Sequence, residues 1–350
     1  MADDFPYGGY FQEIHRLSKA ASASTPDLKP KRVRRKPAAS SFRVTTEEIQ
    51  INAADREASA RLQTYKFLEK PLPLAPLPKS SVLEAFAARC PPASDLIRDL
   101  SLELRFAEKM RCQHMPPQYI LLVGPPGCGK SFMANSLANM FCQGALTFCM
   151  AGVSSAIDIV SAPRAFRSAN PCLPAQAMLR NQRPNPWITC DELDSAGSSD
   201  HNGCAITAFR TFLEPETAAR YYDQYLQITL DCHLASYIFT ANKLSRFDGA
   251  FLSRVKLYEI ARPGPEHLDI YVASFARTLA KEFGVNPKRI PAADDLLRLS
   301  MERMLKRQQS LRDIRRLYET EIKRRALLDE PAPTPAALPD IGQLDAGPRH

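Results

Sequence analysis

No run of 18 consecutive apolar residues occurs in this 350-residue chain, which excludes a transmembrane helix. No apolar stretch follows the start either. MADDFPYGGYFQEI opens on acidic residues and does not read as a secretory leader. No C-x-x-C occurs among the nine cysteines, and their number is odd, so neither a disulfide framework nor a zinc knuckle is indicated. Most of the cysteines read instead as small buried apolar residues. These absences point to a cytoplasmic protein with no membrane partner. Charge of one sign is not in large excess. With 46 Lys and Arg against 38 Asp and Glu, the net charge of +8 permits nucleic-acid contact without demanding it. An apolar fraction of 45% and a charged fraction of 24% exclude collagen-like, mucin-like and wholly disordered chains. The length allows two domains at about 150 residues each.

Proline is concentrated at the ends, with eight in residues 1–80 and five in the last 20. Residues 20–41 are rich in Ala, Ser and Pro and carry Lys29, Lys31, Arg32, Arg34, Arg35 and Lys36 without any apolar period. That composition predicts a disordered basic arm. KPLPLAPLPK, residues 70–79, reads as an extended polyproline linker. Residues 1–80 are therefore expected to be mostly disordered, as is the tail 330–350. Between them, residues 94–110 carry Leu96, Leu100, Leu104 and Ala107 on one helical stripe. Five buried-strand candidates follow at 119–123, 145–149, 187–190, 236–240 and 256–260, mostly separated by helical segments. That alternation predicts an α/β domain over 81–263 with a mostly parallel sheet. After Pro263 the strands stop. Helices at 265–283, 292–304 and 309–328 predict a small all-helical domain over 264–329.

The most specific signal is YILLVGPPGCGKS. Gly124, Pro125, Pro126, Gly127, Cys128, Gly129, Lys130 and Ser131 match G-x-x-x-x-G-K-[ST], with an apolar strand running in and a helical segment running out. The glycines let backbone N–H groups face phosphates, and the helix N-terminus favours negative charge. Lys130 reaches the β- and γ-phosphates of ATP in this arrangement, and Ser131 holds Mg²⁺. A second apolar strand ends in Asp191 and Glu192, 60 residues after Ser131. Asp191 suits the metal shell, and Glu192 suits activation of the attacking water. A third strand, SYIFTAN, ends in Asn242, whose amide can position the same water or can simply form a turn. Arg254 follows twelve residues later in FLSRVKLYEI and, by itself, reads as a surface charge.

Taken in order, GPPGCGKS, NPWITCDELD, TFLEPETAARYYDQYLQITLD and SYIFTANKLSRFDGAFLSRVKLYEI resemble an AAA+ ATPase. Within that class they resemble the ATPase module of Lon-family proteases, and more so bacterial Lon-like AAA proteins that lack the protease domain. The resemblance covers about residues 93–328. It implies a P-loop AAA+ sandwich with a five-stranded sheet and a helical lid, ATP and Mg²⁺ as ligands, and self-association into a hexameric ring. It puts Asn242 at the sensor-1 position and Arg254 at the arginine finger, which reaches a neighbouring subunit's γ-phosphate. Arg312, in SLRDIRRLYETEIKRR, matches the sensor-2 arginine, with Arg315 and Arg316 as alternatives on the same helix. Ser310 stands where that pattern has glycine, so the helix start is expected to differ.

Two departures matter. Lon-like rings grip substrate with an aromatic pore-loop residue. In the corresponding VSAPRAFRSANPCLPA the one aromatic is Phe166, which serves equally as a packing anchor for its loop. The Ser–Lys protease domain and the coiled-coil substrate domain are expected to be absent. The resemblance thus favours an ATP-hydrolysing remodeller of proteins without protease activity. A helicase- or clamp-loader-like ATPase contacting nucleic acid through residues 29–36 is the alternative, although that arm has no aromatics for base stacking.

Overall fold

The computed structural model describes residues 40–51, 56–153, 155–166, 169–199 and 203–328. The basic arm at 29–36 and the tail beyond Pro331 lie outside them. The described residues between Ser40 and Lys79 are already part of the folded body, which corrects the expectation of a mostly disordered region reaching residue 80. Strand β1 (Ser41–Phe42) pairs antiparallel with β2 (Leu72–Pro73), and helix α1 (Arg56–Gln63) lies between them. Val44, Ile49, Leu62, Leu68 and Leu72 are buried in the main core. The proline-rich stretch is extended, as its composition predicts, but it is pinned rather than free. Leu74 N donates to Ser40 O at 3.0 Å, and Ala75 N donates to Asn185 Oδ1 at 2.8 Å. Leu72 lies between Pro71 and Pro73, so composition points to a linker there, while its burial is set by the body it covers.

Helix α2 (Ser80–Ala87) packs on α3 (Ser94–Lys109). Leu96, Leu100, Leu104 and Ala107 of α3 are buried together with Ile97, giving the expected stripe. Each fully buried leucine of this kind contributes about 1.5–3 kcal/mol relative to exposure. There follow β3 (Tyr119–Val123), α4 (Lys130–Phe141), β4 (Leu146–Cys149), α5 (Leu173–Asn181) and β5 (Trp187–Asp191). Next come β6 (Ser198–Ser199), β7 (Gly203–Cys204), α6 (Ala205–Leu213), α7 (Pro215–Ala218) and the hairpin β8 (Tyr221–Asp223) with β9 (Ile228–Leu230). Strand β10 (Ser236–Ala241), α8 (Gly249–Leu252) and β11 (Lys256–Glu259) complete the sheet region.

The main sheet has the order β11-β3-β10-β5-β4, and every pair is parallel. Alternate residues serve opposite faces. Leu121, Ile188, Tyr237 and Phe239 enter one core, whereas Ile120, Leu122, Trp187 and Ile238 enter another. Both faces of the sheet are covered, as an all-parallel sheet requires. After it come α9 (Leu268–Glu282), α10 (Asp295–Lys306) and α11 (Leu311–Leu328). They enclose a third cluster that includes Phe275, Met301, Ile314 and Tyr318. Among the described residues, no helix is long and apolar enough to cross a membrane. Six of the cysteines are buried, as read from the sequence, whereas Cys112 and Cys149 are exposed and Cys204 is half-buried.

Candidate nucleotide site

The parallel register brings the C-terminal ends of three central strands together. Val123 is level with Ala241, and β5 ends beside them at Asp191. Ligands of open α/β sheets bind at this edge. The loop from Gly124 to Gly129 leaves β3 here and turns into α4. Its backbone needs glycine at two places for different reasons. At Gly124 a Cβ would lie 2.2 Å from Ile260 O, and at Gly127 it would lie 2.4 Å from Ser310 Cβ. Gly127 and Gly129 also have φ of +77° and +99°, in the left-handed region where side chains are strained.

Lys130 is 7% exposed. Its ammonium donates to Gly124 O at 2.7 Å, Pro125 O at 3.0 Å and Asn242 Oδ1 at 3.0 Å. A lysine carries three N–H donors, so all three are matched by oxygens at the loop. Ser131 Oγ donates to Asp191 Oδ1 at 2.8 Å, and Thr240 Oγ1 donates to the same oxygen at 2.6 Å. Thr240 Oγ1 in turn accepts from Glu192 N at 3.0 Å. Glu192 has φ of +57°, and its exposed side chain lines the cavity. The structure thus brings Lys130, Ser131, Asp191, Glu192 and Asn242 into one place.

Lys130, Ser131, Glu192 and Asn242 line a cavity of about 320 Å³, and Asp191 is reached through its hydrogen bond with Ser131. The apolar part of the lining is Cys90, Phe132, Met133, Tyr271, Phe275 and Leu311, of which Met133 and Leu311 stand beside Gly129 of the loop. Tyr271 Oη is buried with no partner among the described residues, and burial pushes its phenol well up from the ordinary range. The cavity therefore combines polar groups around the loop with an apolar lining, a chemistry that fits a nucleotide. The Ser131–Asp191 pair supplies the hard oxygen donors that Mg²⁺ takes.

Arg312 and Arg315 both line the cavity, whereas Arg316 does not. Arg315 is held by Glu282 and Glu319 at 2.5 Å each. Arg312 is exposed and makes no ion pair among the described residues. Ser310, standing in place of glycine, caps α11: Asp313 N donates to Ser310 Oγ at 3.2 Å, and Ser310 Oγ donates to Asp313 Oδ2 at 2.6 Å. Arg254 is not at this cavity. It lies just before β11, whose Lys256 is level with Ile120 near the start of β3. Phe166 is 58% exposed at a turn closed by its N–H on Pro163 O at 3.1 Å, so it is not a packing anchor.

Sequence reasoning missed Thr240 and Asp194. Asp194 Oδ2 accepts from Asn242 N at 3.0 Å and Lys243 N at 3.1 Å, fixing the end of β10. A threonine two residues before Asn242 and an acid three after Asp191 were the available signals. The apolar lining, with Tyr271 and Phe275 one helical turn apart, is assembled from segments far apart in sequence and carries no local motif.

Residues 120–261 match the family model described as "ATPase family associated with various cellular activities (AAA)". The chain is 27% identical over 224 residues to a mitochondrial Lon protease homolog of Yarrowia lipolytica, covering 64% of this chain and 19% of that one. It is 29% identical over 180 residues to the Lon protease of Brucella suis, covering 51% of this chain and 22% of that one. The chain spans only about a fifth of the length of these two relatives. The fold is similar to that of a chain from a cryo-EM reconstruction of closed-state Hsp104 with ATPγS and FITC-casein, with a TM-score of 0.55 at 13% identity. That similarity covers 80% of this chain and 50% of that one. Strand, phosphate loop, paired carboxylates and the helices after the sheet occur here in one chain with these matches: residues 120–261 carry an AAA domain, and its sequence is similar to that of Lon proteases.

Proposed function

We propose that this chain binds and hydrolyses ATP and works as a hexameric ring that remodels proteins without cleaving them. The observation that carries the reading is the hydrogen-bonded series Ser131–Asp191–Thr240–Glu192 beside the Lys130 ammonium. Ser131 and Asp191 would hold Mg²⁺, which when bound supplies positive charge against the phosphate oxygens.

The chain's own residues have separable tasks in this reading. Lys130 exchanges a loop carbonyl for a phosphate oxygen and neutralises charge on the β- and γ-phosphates. Glu192, exposed to the cavity, accepts a proton from the attacking water. Asn242 orients that water while anchored through its backbone to Asp194. Arg312 approaches the phosphates from the lid. The apolar lining takes the base and excludes water from it.

Arg254 acts elsewhere. It lies two residues before β11, at the strand-start side of the sheet, whereas its own phosphate loop leaves the far end of β3, roughly 16 Å away at 3.3 Å per residue. Its charge therefore serves a neighbour's γ-phosphate, which requires a ring. Exposed Phe166 suits a grip on a protein substrate in the pore. Phosphate release by the purified chain with Mg²⁺ and ATP, measured beside Glu192→Gln, tests the reading. Steady turnover that Glu192→Gln abolishes is expected, and no turnover by the assembled wild-type chain would contradict it.

A further inference from the structure

The block TFLEPETAARYYDQYLQITLD carries a carboxylate that the nucleotide site does not use. Glu214 sits at the joint between α6 and α7, with extended backbone at φ of −106° and ψ of 109°. It is fixed on both sides. Phe212 and Leu213 are buried before it, Pro215 restricts the backbone after it, and its carbonyl accepts from Ala218 N at 2.9 Å. Its carboxylate faces Arg254. Nε and Nη2 of Arg254 both lie 3.1 Å from Glu214 Oε2. Nη1 of Arg254 donates to Ala250 O at 2.7 Å. The pair is half-exposed, with side-chain exposures of 33% for Arg254 and 46% for Glu214. Tyr119, the first residue of β3, has its phenol pushed up to about 12, by burial first and by the Glu214 carboxylate second. Both partners thus lie at the strand-start edge of the sheet.

A guanidinium has five N–H donors in a fixed plane. Glu214 Oε2 accepts the one on Nε and stands in ion-pair contact with Nη2, and Ala250 O accepts one on Nη1. One N–H on Nη1 and both on Nη2 are left. One from each of these nitrogens can form the fork that matches two phosphate oxygens. Without Glu214 the arginine keeps only the Ala250 contact and several rotamers become open to it.

We propose that Glu214 is a positioning residue for Arg254, splinting its Nε edge so that the Nη1/Nη2 fork is held toward a neighbouring subunit's nucleotide. The inference rests on the trans role given to Arg254 above. A phosphate and a carboxylate then bind different edges of one guanidinium and do not compete. The arrangement removes the side-chain ordering cost from the moment of subunit contact.

Steady-state ATPase kinetics of the full chain, at a concentration where it is assembled, test this with Glu214→Ala, Glu214→Gln, Arg254→Ala and the Glu214→Ala/Arg254→Ala double variant. Misplacement of a reacting group by about 1 Å can cost about 10²-fold. Glu214→Ala is therefore expected to lower kcat by about 10- to 100-fold, leaving KM for ATP and the ATP-induced thermal shift unchanged. Glu214→Gln, which keeps one acceptor oxygen, falls between. The double variant is no slower than Arg254→Ala, because Glu214 acts only through that residue. A Glu214→Ala protein as fast as wild type or faster overturns the proposal. So does a double variant slower than Arg254→Ala by the full factor of the single change, or a raised KM with a lost thermal shift. A fully active Arg254→Ala protein is a different failure, which removes the finger reading itself.

Discussion

The backbone N–H of Leu311, the first residue of the last lid helix, donates to the carbonyl of Gly127 in the phosphate loop at 2.8 Å. The lid thus touches the loop through main chain at the mouth of the nucleotide cavity. Ser310, which caps that helix, is packed so close that a methyl group on Gly127 cannot fit without displacing it. Loop conformation and lid position are coupled by this contact.

Gly127→Ala should therefore weaken nucleotide binding through two costs at once, the strain of φ at +77° and the collision with Ser310. Gly152→Ala is the control, since a Cβ there meets nothing within 4 Å. The ATP-induced rise in melting temperature should shrink strongly in the first and remain in the second. An unchanged rise in Gly127→Ala would show that the lid contact does not matter for binding.

Lys130→Ala should remove most of the stabilisation by Mg-ATP. At a hundred times its dissociation constant, a ligand stabilises the fold by about 2.7 kcal/mol. Differential scanning fluorimetry with and without ATP reads this directly. A mutant whose thermal shift equals that of wild type would sink the assignment of the phosphate loop.

The carboxylates separate binding from hydrolysis. Glu192→Gln should bind ATP as wild type does and turn over very slowly. Asp191→Asn should instead lose the Mg²⁺ dependence of binding or turnover. Thr240→Val should resemble a mild form of both, because it leaves Asp191 Oδ1 with one donor fewer and Glu192 N without its acceptor. Both bonds are partly buried, and a hydrogen bond of this kind contributes about 0.5–1.5 kcal/mol. Equal kcat in wild type and Thr240→Val would mean that the series of hydrogen bonds has no catalytic weight.

Much of this site was legible because phosphate chemistry imposes local spacing. GPPGCGKS needs its glycines and lysine within eight consecutive positions, and Asp191 with Glu192 need an apolar strand before them. The five sheet strands were equally legible, being short apolar runs between polar segments. What was not legible depends on distant chain. Leu68 and Leu72 are buried by a core whose other members come from residues up to Phe251, and the prolines around Leu72 read as a free linker until that core is in view. The pairing of Glu214 with Arg254 spans 40 positions and exists because α6, which ends just before Glu214, packs against α8, which ends just before Arg254.

Leu68→Ala tests the folded status of the segment before residue 80. The side chain is 0% exposed, and truncating a buried leucine costs about 2–5 kcal/mol. Urea denaturation should show a loss in that range with one cooperative transition. A change under about 0.5 kcal/mol, typical of surface positions, would mean that the segment is not part of the core.

The central claim is that Arg254 completes a neighbour's site, and mixing two inactive variants tests it most directly. Arg254→Ala subunits keep Lys130, and Lys130→Ala subunits keep Arg254. Trans arginines contribute about 10³–10⁵ in rate in well-studied phosphoryl transfers, so each variant alone should be nearly inactive. In an equimolar mixture assembled at random, about one site in four has an intact Lys130 facing an intact Arg254 across a head-to-tail interface. ATPase activity in the mixture should therefore rise to roughly a quarter of wild type per subunit. A mixture no more active than its separate components, or an Arg254→Ala protein that hydrolyses ATP at the wild-type rate, would contradict the account.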